Sequence, residues 1–574
     1  MTTANTTNTS LRIRLLSIGV ILVALVCIVR LFFVQVIHSE QYKEETDRRY
    51  VSASEGVFDR GIIYFQKKDG THIAAASIVS GYKLTINPSR IKDRAATYGA
   101  ISAIVPIEQE LFMSRAADTT DTYADFPNRL TEENASAISE LKIAGVQVIR
   151  QKWRFYPGGE LGAHVLGLVG FKGNDLAGRY GIERSYNETL ARRAELLYIN
   201  PFAEVFTNIA RSLFVNTVRE GDTITTIEPT VEQYLDNSLA SINEKYHPDQ
   251  LGAIVMDPSN GEILAMSVYP PFDPNDFSTI KNARLFGNPF VEHVYEFGSV
   301  IKPLVMALAL DAGVVTPETT YTDRGSVVVK DKTINNFDKQ GRGLATMQMV
   351  LDQSLNTGMV FAQQRLGKEK FRDGMLRYGI GEKTGVDLPS ETTGLIGNLK
   401  TNGDVEYANA AFGQGIALTP IAAVRAFATL ANGGYLVTPH VVESIEYPDG
   451  ADKTPERIKS ESSVFSNPET AATIQKMMVH VADVMNGGSR KMERYTIAAK
   501  TGTAQVARED GKGYYDDRHM HSLFGFYPAS NPRFVVFFFA ENPKGSPFAA
   551  TTLADPFFAT AKFLLSYYDV PPDR

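Results

Sequence analysis

The chain has 574 residues, 58 Lys+Arg against 65 Asp+Glu (net charge −7), and 44% hydrophobic positions. That is enough apolar material to bury a core in about three domains or one large one. The acidic balance excludes the basic surface on which nucleic-acid binding depends. A single cysteine, Cys27, excludes an intramolecular disulfide framework and multi-cysteine metal sites, and neither the zinc-protease His-Glu-x-x-His nor the P-loop pattern occurs.

Arg12 and Arg14 precede an apolar run, Leu15 to Val29, interrupted by Arg30 and resumed from Leu31 to Ile37. As a helix at about 1.5 Å per residue this run reaches ~34 Å, enough to cross a hydrocarbon core of about 30 Å. Bulky Leu31, Phe32 and Phe33 follow where a cleavage site would need small residues, so the segment reads as an uncleaved anchor. Basic residues before the span and Glu40, Glu44, Glu45 and Asp47 after it place residue 1 in the cytoplasm and the bulk of the chain outside. Arg30 either snorkels to the headgroups or faces a partner helix.

Residues 40–230 carry short β-branched runs at 61–65, 82–86 and 223–227, with helical spacing around 131–142 and 229–246. Pro229 suits a first helical turn and opens the next domain. The run 251–256, the turn Asp257-Pro258-Ser259-Asn260-Gly261 and the run 262–267 predict a hairpin. Helical patterns then dominate to about residue 435, including 302–310 and 420–431. Strands return at 495–499 and 533–540. A sheet built from both ends of this segment and covered by helices is an α+β arrangement.

Acyl transfer through a serine needs a hydroxyl, a base within reach, and donors for the oxyanion. Serine with lysine three positions on occurs at Ser80/Lys83, Ser139/Lys142, Ser278/Lys281 and Ser299/Lys302, so spacing alone selects nothing. Only Ser299 follows a glycine at the head of a strongly apolar helix. Ser354-Leu355-Asn356 and Ser185-Tyr186-Asn187 both read Ser-x-Asn. Lys-Thr-Gly occurs at 383–385, among turn-forming glycines, and at 500–502, after the apolar strand, where it can line a cleft. His164, His440, His519 and His521 have no Gly-x-Ser-x-Gly elbow to serve and read as structural or surface residues.

Ser299-x-x-Lys302, Ser354-x-Asn356 and Lys500-Thr501-Gly502, in that order, resemble the three motifs of penicillin-recognising acyl-serine transferases. Asp59-Arg60-Gly61, Arg154-Phe155-Tyr156-Pro157, Gly181-Ile182-Glu183, the 257–266 stretch and Phe412-Gly413-Gln414-Gly415 extend the likeness to class B penicillin-binding proteins over nearly the whole chain. Phe297 departs from the family, which usually has proline before the Gly-Ser. The short tail before the anchor and the lack of a domain after the last strand and helix resemble the septal cell-division subtype more than the elongation one.

The resemblance implies a cytoplasmic tail (1–14), a transmembrane helix (15–37), an elongated strand-rich pedestal of dimerisation type (38–230), and a transpeptidase domain (231–574) with an antiparallel sheet flanked by helices. It implies that Ser299 attacks the D-Ala-D-Ala carbonyl of a peptidoglycan stem peptide, releasing D-alanine. Lys302 is then the base, its pKa depressed by burial and a neighbouring cation such as Lys500. Ser354 relays a proton, Asn356 holds the donor amide, and Thr501, Gly502 and Thr503 with Lys500 bind the terminal carboxylate. The N–H groups of Ser299 and Thr503 form the oxyanion hole. No metal or organic cofactor is implied. The implied partners are stem peptides, β-lactams, a multi-spanning glycan polymerase and division proteins, at the cell membrane with the catalytic domain on the outer side. Other readings of the same residues are an elongation transpeptidase, a D,D-carboxypeptidase or β-lactamase, a β-lactam sensor, and a non-enzymatic scaffold for wall-synthesis proteins.

Overall fold

A computed structural model describes residues 59–172, 175–192, 220–277, 280–508 and 513–574. The anchor expected at 15–37 lies outside these residues, and among the described residues no helix is long and apolar enough to cross a membrane. The described chain forms two compact units, one built on Gly81–Lys152 and the other on Arg60–Ser80, 153–192 and 220–574.

In the smaller unit the end of strand His72–Ile86 pairs antiparallel with Ala124–Leu130, Tyr82 opposite Leu130 and Ile86 opposite Ala124. Helices Arg94–Ser102, Gln109–Ala117 and Glu132–Glu140 supply Ile101, Phe112 and Ile138 to a core shared with Leu84, Ile86 and Phe126. Asp93 and Thr131 accept from the first-turn N–H groups of Ala96 and Asn134, which caps two of these helices.

The larger unit holds a five-stranded antiparallel sheet. Helix α1 (Pro229–Tyr246) leads into β1 (Gln250–Met256) and β2 (Ile263–Tyr269), the expected hairpin, with Leu251 opposite Tyr269. Helices α2 (Lys302–Asp311), α3 (Asn356–Leu366), α4 (Pro420–Ala431) and α5 (Glu469–Val484) follow. Next come β3 (Ala498–Ala507), β4 (Tyr514–Tyr527) and β5 (Phe534–Glu541), and finally α6 (Ala554–Tyr567). The strand order is β3-β4-β5-β1-β2, which leaves β3 at one edge.

The uninterrupted apolar run of β5 has a direct cause. All of 534–540 is buried because both faces are covered. Phe537 and Phe539 join Ile254, Phe524 and Phe427 on one side, while Val536 and Phe538 join Leu235, Leu239 and Phe557 on the other. In α1, Val231, Leu235, Leu239 and Ile242 recur at helical spacing and are all buried. Glu228 caps its start by accepting from the Val231 N–H at 2.8 Å.

Three of the family-like stretches, those carrying Arg60, Arg154 and Glu183, meet in one buried cluster of this unit. Glu183 accepts from the Arg60 Nε, from the Arg154 Nε at 2.6 Å and from the Tyr156 hydroxyl at 3.2 Å. Arg154 also donates to the Gly61 carbonyl at 2.7 Å, and Arg60 to Asn187 Oδ1 at 3.0 Å. Burial pushes the Glu183 carboxyl up, but the two guanidinium groups more than offset this and hold it low. Asn187, the end of the second Ser-x-Asn, is therefore engaged in this cluster.

Three features differ from the sequence expectation. Four short strands (Thr320–Asp323, Ser326–Val329, Lys332–Asn335 and Gly343–Thr346) form two small sheets inside the segment expected to be helical. The late strands number three, because β4 was not anticipated. β3 also begins at Ala498 rather than Tyr495, since Thr496 turns its N–H to Asp573 at 2.7 Å instead of to a neighbouring strand.

Candidate active site

Ser299 sits on a tight 3-10 turn, Gly298–Ile301, that runs straight into α2. In such a turn side chains three apart nearly eclipse, which sets Ser299 and Lys302 on one side. Gly298 has φ +64° and an added Cβ would lie 3.0 Å from the Thr503 carbonyl oxygen, so the turn needs glycine here on both conformational and steric grounds. Phe297, standing where the family usually has proline, is 1% exposed. Its ring meets Phe537 edge-on at 5.1 Å, and its carbonyl accepts from Ser522 Oγ at 2.9 Å. Packing and this hydrogen bond hold the turn without the proline ring.

Ser354 lies between helix Met347–Asp352 and α3, in the left-handed region at φ +55°. A non-glycine residue there costs about 1–2 kcal/mol, the kind of strain that persists where surrounding contacts over-determine it. Those contacts are present. The Lys302 Nζ lies 2.6 Å from the Ser354 carbonyl, 3.2 Å from Ser354 Oγ and 2.8 Å from Asn356 Oδ1. The Asn356 Nδ2 donates to the Asn335 carbonyl at 2.9 Å, which leaves its oxygen facing the lysine.

The edge strand β3 closes the site. Lys500 points inward, where its Nζ lies 3.1 Å from Ser354 Oγ and 2.9 Å from the Thr501 carbonyl. On the alternate face Thr501 and Thr503 line a cavity of about 510 Å³ with Ser299, Ser354 and Asn356. Thr503 Oγ1 accepts from the Ala549 N–H at 3.2 Å, which ties the strand to the 547–550 loop on the cavity rim. Gly502 faces the other way. An added Cβ there would meet the Phe297 carbonyl oxygen at 2.5 Å, so glycine lets β3 approach the turn that carries Ser299.

Two lysines buried together are an unfavourable arrangement for charge. Lys302 is completely buried, and burial, followed by the positive charge of Lys500, pushes its pKa well below the usual lysine range. Burial lowers Lys500 to about 8, with Asp352 opposing part of that shift. Near neutral pH this pair favours one ammonium, on Lys500, and one free amine, on Lys302. A neutral amine has two N–H donors, matched by the Ser354 carbonyl and Asn356 Oδ1, and one lone pair free to take a proton from a hydroxyl.

The other motif copies lie elsewhere. Lys83 is on a strand and pairs with Asp125. Thr384 donates its N–H and Oγ1 to Glu391 at 2.6 and 2.7 Å, closing a turn. Ser278 lies outside the described residues. Of the four histidines, His164 is buried against Leu285 and Phe272, and His521 meets Thr552 Oγ1 at 2.8 Å. His519 differs from the expectation, because it lines the cavity beside Gln505, its cross-strand partner. The signal was the alternation of β4, visible only once its register against β3 is known. Among the described residues one group, Glu262, His440 and Glu443, brings possible metal ligands within 4.8 Å of one another. None lines the cavity, and the Arg457 guanidinium already supplies a positive charge there, 2.9 Å from Glu443.

The chain resembles known proteins along most of its length. The family described as penicillin binding protein transpeptidase domain matches residues 251–561, and the penicillin-binding protein dimerisation domain matches residues 59–226. The chain is 31% identical over 498 residues to stage V sporulation protein D of Bacillus subtilis, covering 85% of this chain and 75% of that one. It is 29% identical over 596 residues to peptidoglycan D,D-transpeptidase MrdA of Acinetobacter baumannii (94% and 86% covered), and 27% over 580 residues to peptidoglycan D,D-transpeptidase FtsI of Escherichia coli K12 (97% and 92%). The crystal structure of penicillin binding protein 3 from Mycobacterium tuberculosis superposes with a TM-score of 0.65 at 26% identity, covering 74% of this chain and 92% of that one. The chain belongs to the class B penicillin-binding protein transpeptidase family. It is a serine-type peptidoglycan D,D-transpeptidase of cell-wall synthesis.

Proposed function

We propose that Ser299 is the nucleophile and Lys302 its base. The proton of Ser299 Oγ passes to the Lys302 amine as the oxygen bonds to the carbonyl of the penultimate D-alanine. The N–H groups of Ser299 and Thr503 receive the oxyanion. The C–N bond then breaks, and the leaving D-alanine amine takes a proton through Ser354, whose hydroxyl touches both lysines. Asn356 holds the donor amide, and Lys500 with Thr501 and Thr503 holds the terminal carboxylate. Gly502 belongs to this subsite by keeping the strand close to the turn. An acceptor amine attacks the ester, its proton returns to Ser299, and the cross-link is complete. The observation that carries this reading is the paired approach of Lys302 and Lys500 to one serine hydroxyl, at 3.2 and 3.1 Å. Its test is incubation of the full chain with a D-Ala-D-Ala stem peptide and an amine acceptor. Release of D-alanine with a cross-linked product supports transpeptidation, and free tetrapeptide alone indicates a carboxypeptidase.

In the cell the proposed arrangement is a tail at 1–14, an anchor at 15–37, a pedestal at 38–230 and a transpeptidase domain at 231–574 facing the outer side of the membrane. Penicillin binding protein 3 of Mycobacterium tuberculosis has been solved with aztreonam and with ampicillin, which supports β-lactams as acylating ligands here. The expected partners are a multi-spanning glycan polymerase and division proteins, and the role is septal. Depletion tests the role directly, since filaments support division and rounded cells support elongation.

A further inference from the structure

Resting on the roles proposed for Lys302 and Asn356, we infer that Asp323 and Asn336, buried beside the start of α3, are positioning residues that hold the Asn356 carboxamide against the catalytic amine. Neither residue lines the cavity. Asp323 is 2% and Asn336 1% exposed, and their side chains face each other at the ends of two of the short strands. The Asn336 Nδ2 donates to both oxygens of Asp323, at 3.1 and 3.0 Å. Asp323 also accepts from the Gly325 N–H at 3.0 Å, the Arg342 N–H at 3.0 Å and Thr357 Oγ1 at 2.8 Å.

The pair grips α3 at its first turn. Asn336 Oδ1 accepts from the Thr357 N–H at 3.3 Å, one of the donors a helix start leaves without an internal partner. A buried carboxylate at that end is also favoured by the helix dipole. Asn356 and Thr357 are adjacent on α3, as Asn335 and Asn336 are adjacent on the opposing segment. The side-chain lock between Thr357 and Asn336 therefore sets the register in which the Asn356 Nδ2 meets the Asn335 carbonyl. That bond turns Asn356 Oδ1 to Lys302, where it takes one of the two N–H groups of the free amine. With the Ser354 carbonyl taking the other, the lone pair has one direction left. Loosening the lock lets the amide and the amine rotate, which lowers the rate of proton abstraction more than it weakens binding.

The experiment is stopped-flow acylation of the full chain by benzylpenicillin. It resolves the pre-covalent dissociation constant from the acylation rate constant, and labelling at completion counts active sites. Wild-type labelling on Ser299 tests the underlying reading on its own, and its absence overturns that reading before this one. Asn336→Ala is expected to lower the acylation rate constant at least tenfold, by more than it raises the dissociation constant, with labelling still reaching completion. Thr357→Val serves as the second probe if Asn336→Ala folds poorly, because it removes the hydroxyl donated to Asp323 at constant shape. A rate constant within twofold of wild type in these variants overturns the inference. So does a loss that appears wholly as fewer labelled sites, since that is what a purely structural role would produce.

Discussion

Replacing Lys500 by glutamine removes a charge from beside Lys302 while keeping an amide that can still donate to Ser354. Both lysine nitrogens touch Ser354 Oγ, at 3.2 and 3.1 Å. They are thus no more than about 6 Å apart, and at an effective dielectric constant of about 20 two unit charges at that separation repel by about 3 kcal/mol, or about 2 pKa units. Burial remains the larger cause of the Lys302 depression, and the variant leaves it in place. Protonated Lys302 cannot act as a base, so acylation fails as pH falls through its pKa. Removing Lys500 raises that pKa, and the acid limb of the acylation rate constant against pH should move up by as much as about 2 units. The rate constant, measured at saturating penicillin by stopped flow, separates this effect from the expected loss of carboxylate binding. Above pH 8 the two profiles should converge, because Lys500 itself loses its charge near there. An acid limb that stays in place, or moves down, refutes the argument that Lys500 keeps Lys302 neutral.

Glu183→Gln leaves the buried Arg60 and Arg154 without their carboxylate and should cost about 3–5 kcal/mol in urea unfolding; a loss under 1 kcal/mol would show that water replaces the pair. Ser354→Gly relieves a left-handed residue, worth about 1–2 kcal/mol, but takes the hydroxyl from two buried lysines, a loss of about 1–3 kcal/mol, so urea unfolding should show no net gain while acylation is abolished; a gain above about 1 kcal/mol would show that the strain outweighs the hydrogen bonds. Lys500 has a folded pKa near 8, below its unfolded value. Its stabilising contribution is therefore full above the unfolded value and is lost as pH falls through the folded one. Accordingly, Lys500→Met should be more stable than wild type at pH 7, with the difference narrowing from pH 8 to 10 in urea titrations. A constant difference would mean that burial does not depress this lysine.

Much of the catalytic unit was legible where one physical signal dominated. The apolar run at 533–540 had to be a strand, the 257–261 turn had to join two strands, and Pro229 stands in the first turn of the helix it was expected to open. The motifs named the residues around the cavity but not their conformation. Nothing in Ser354-Leu355-Asn356 signals φ +55°, since the left-handed serine is held by a lysine that arrives from another helix. The strands at 320–346 are four residues each, too short for alternation to stand out. β4 begins Tyr-Tyr-Asp-Asp-Arg-His, so its strand character comes from pairing with β3 and β5 rather than from its own composition. The same dependence on register hid His519 in the cavity wall. Asp323 and Asn336 were invisible for a related reason, being polar residues whose partners lie 34 and 21 positions away.

The central claim is that Ser299 forms the acyl-enzyme. Intact and peptide mass spectrometry of the chain during incubation with penicillin, followed over time beside Ser299→Ala, tests it most directly. One stable adduct is expected on the peptide carrying Ser299, and none in the variant. An adduct on another residue, or none in the wild type, would contradict it.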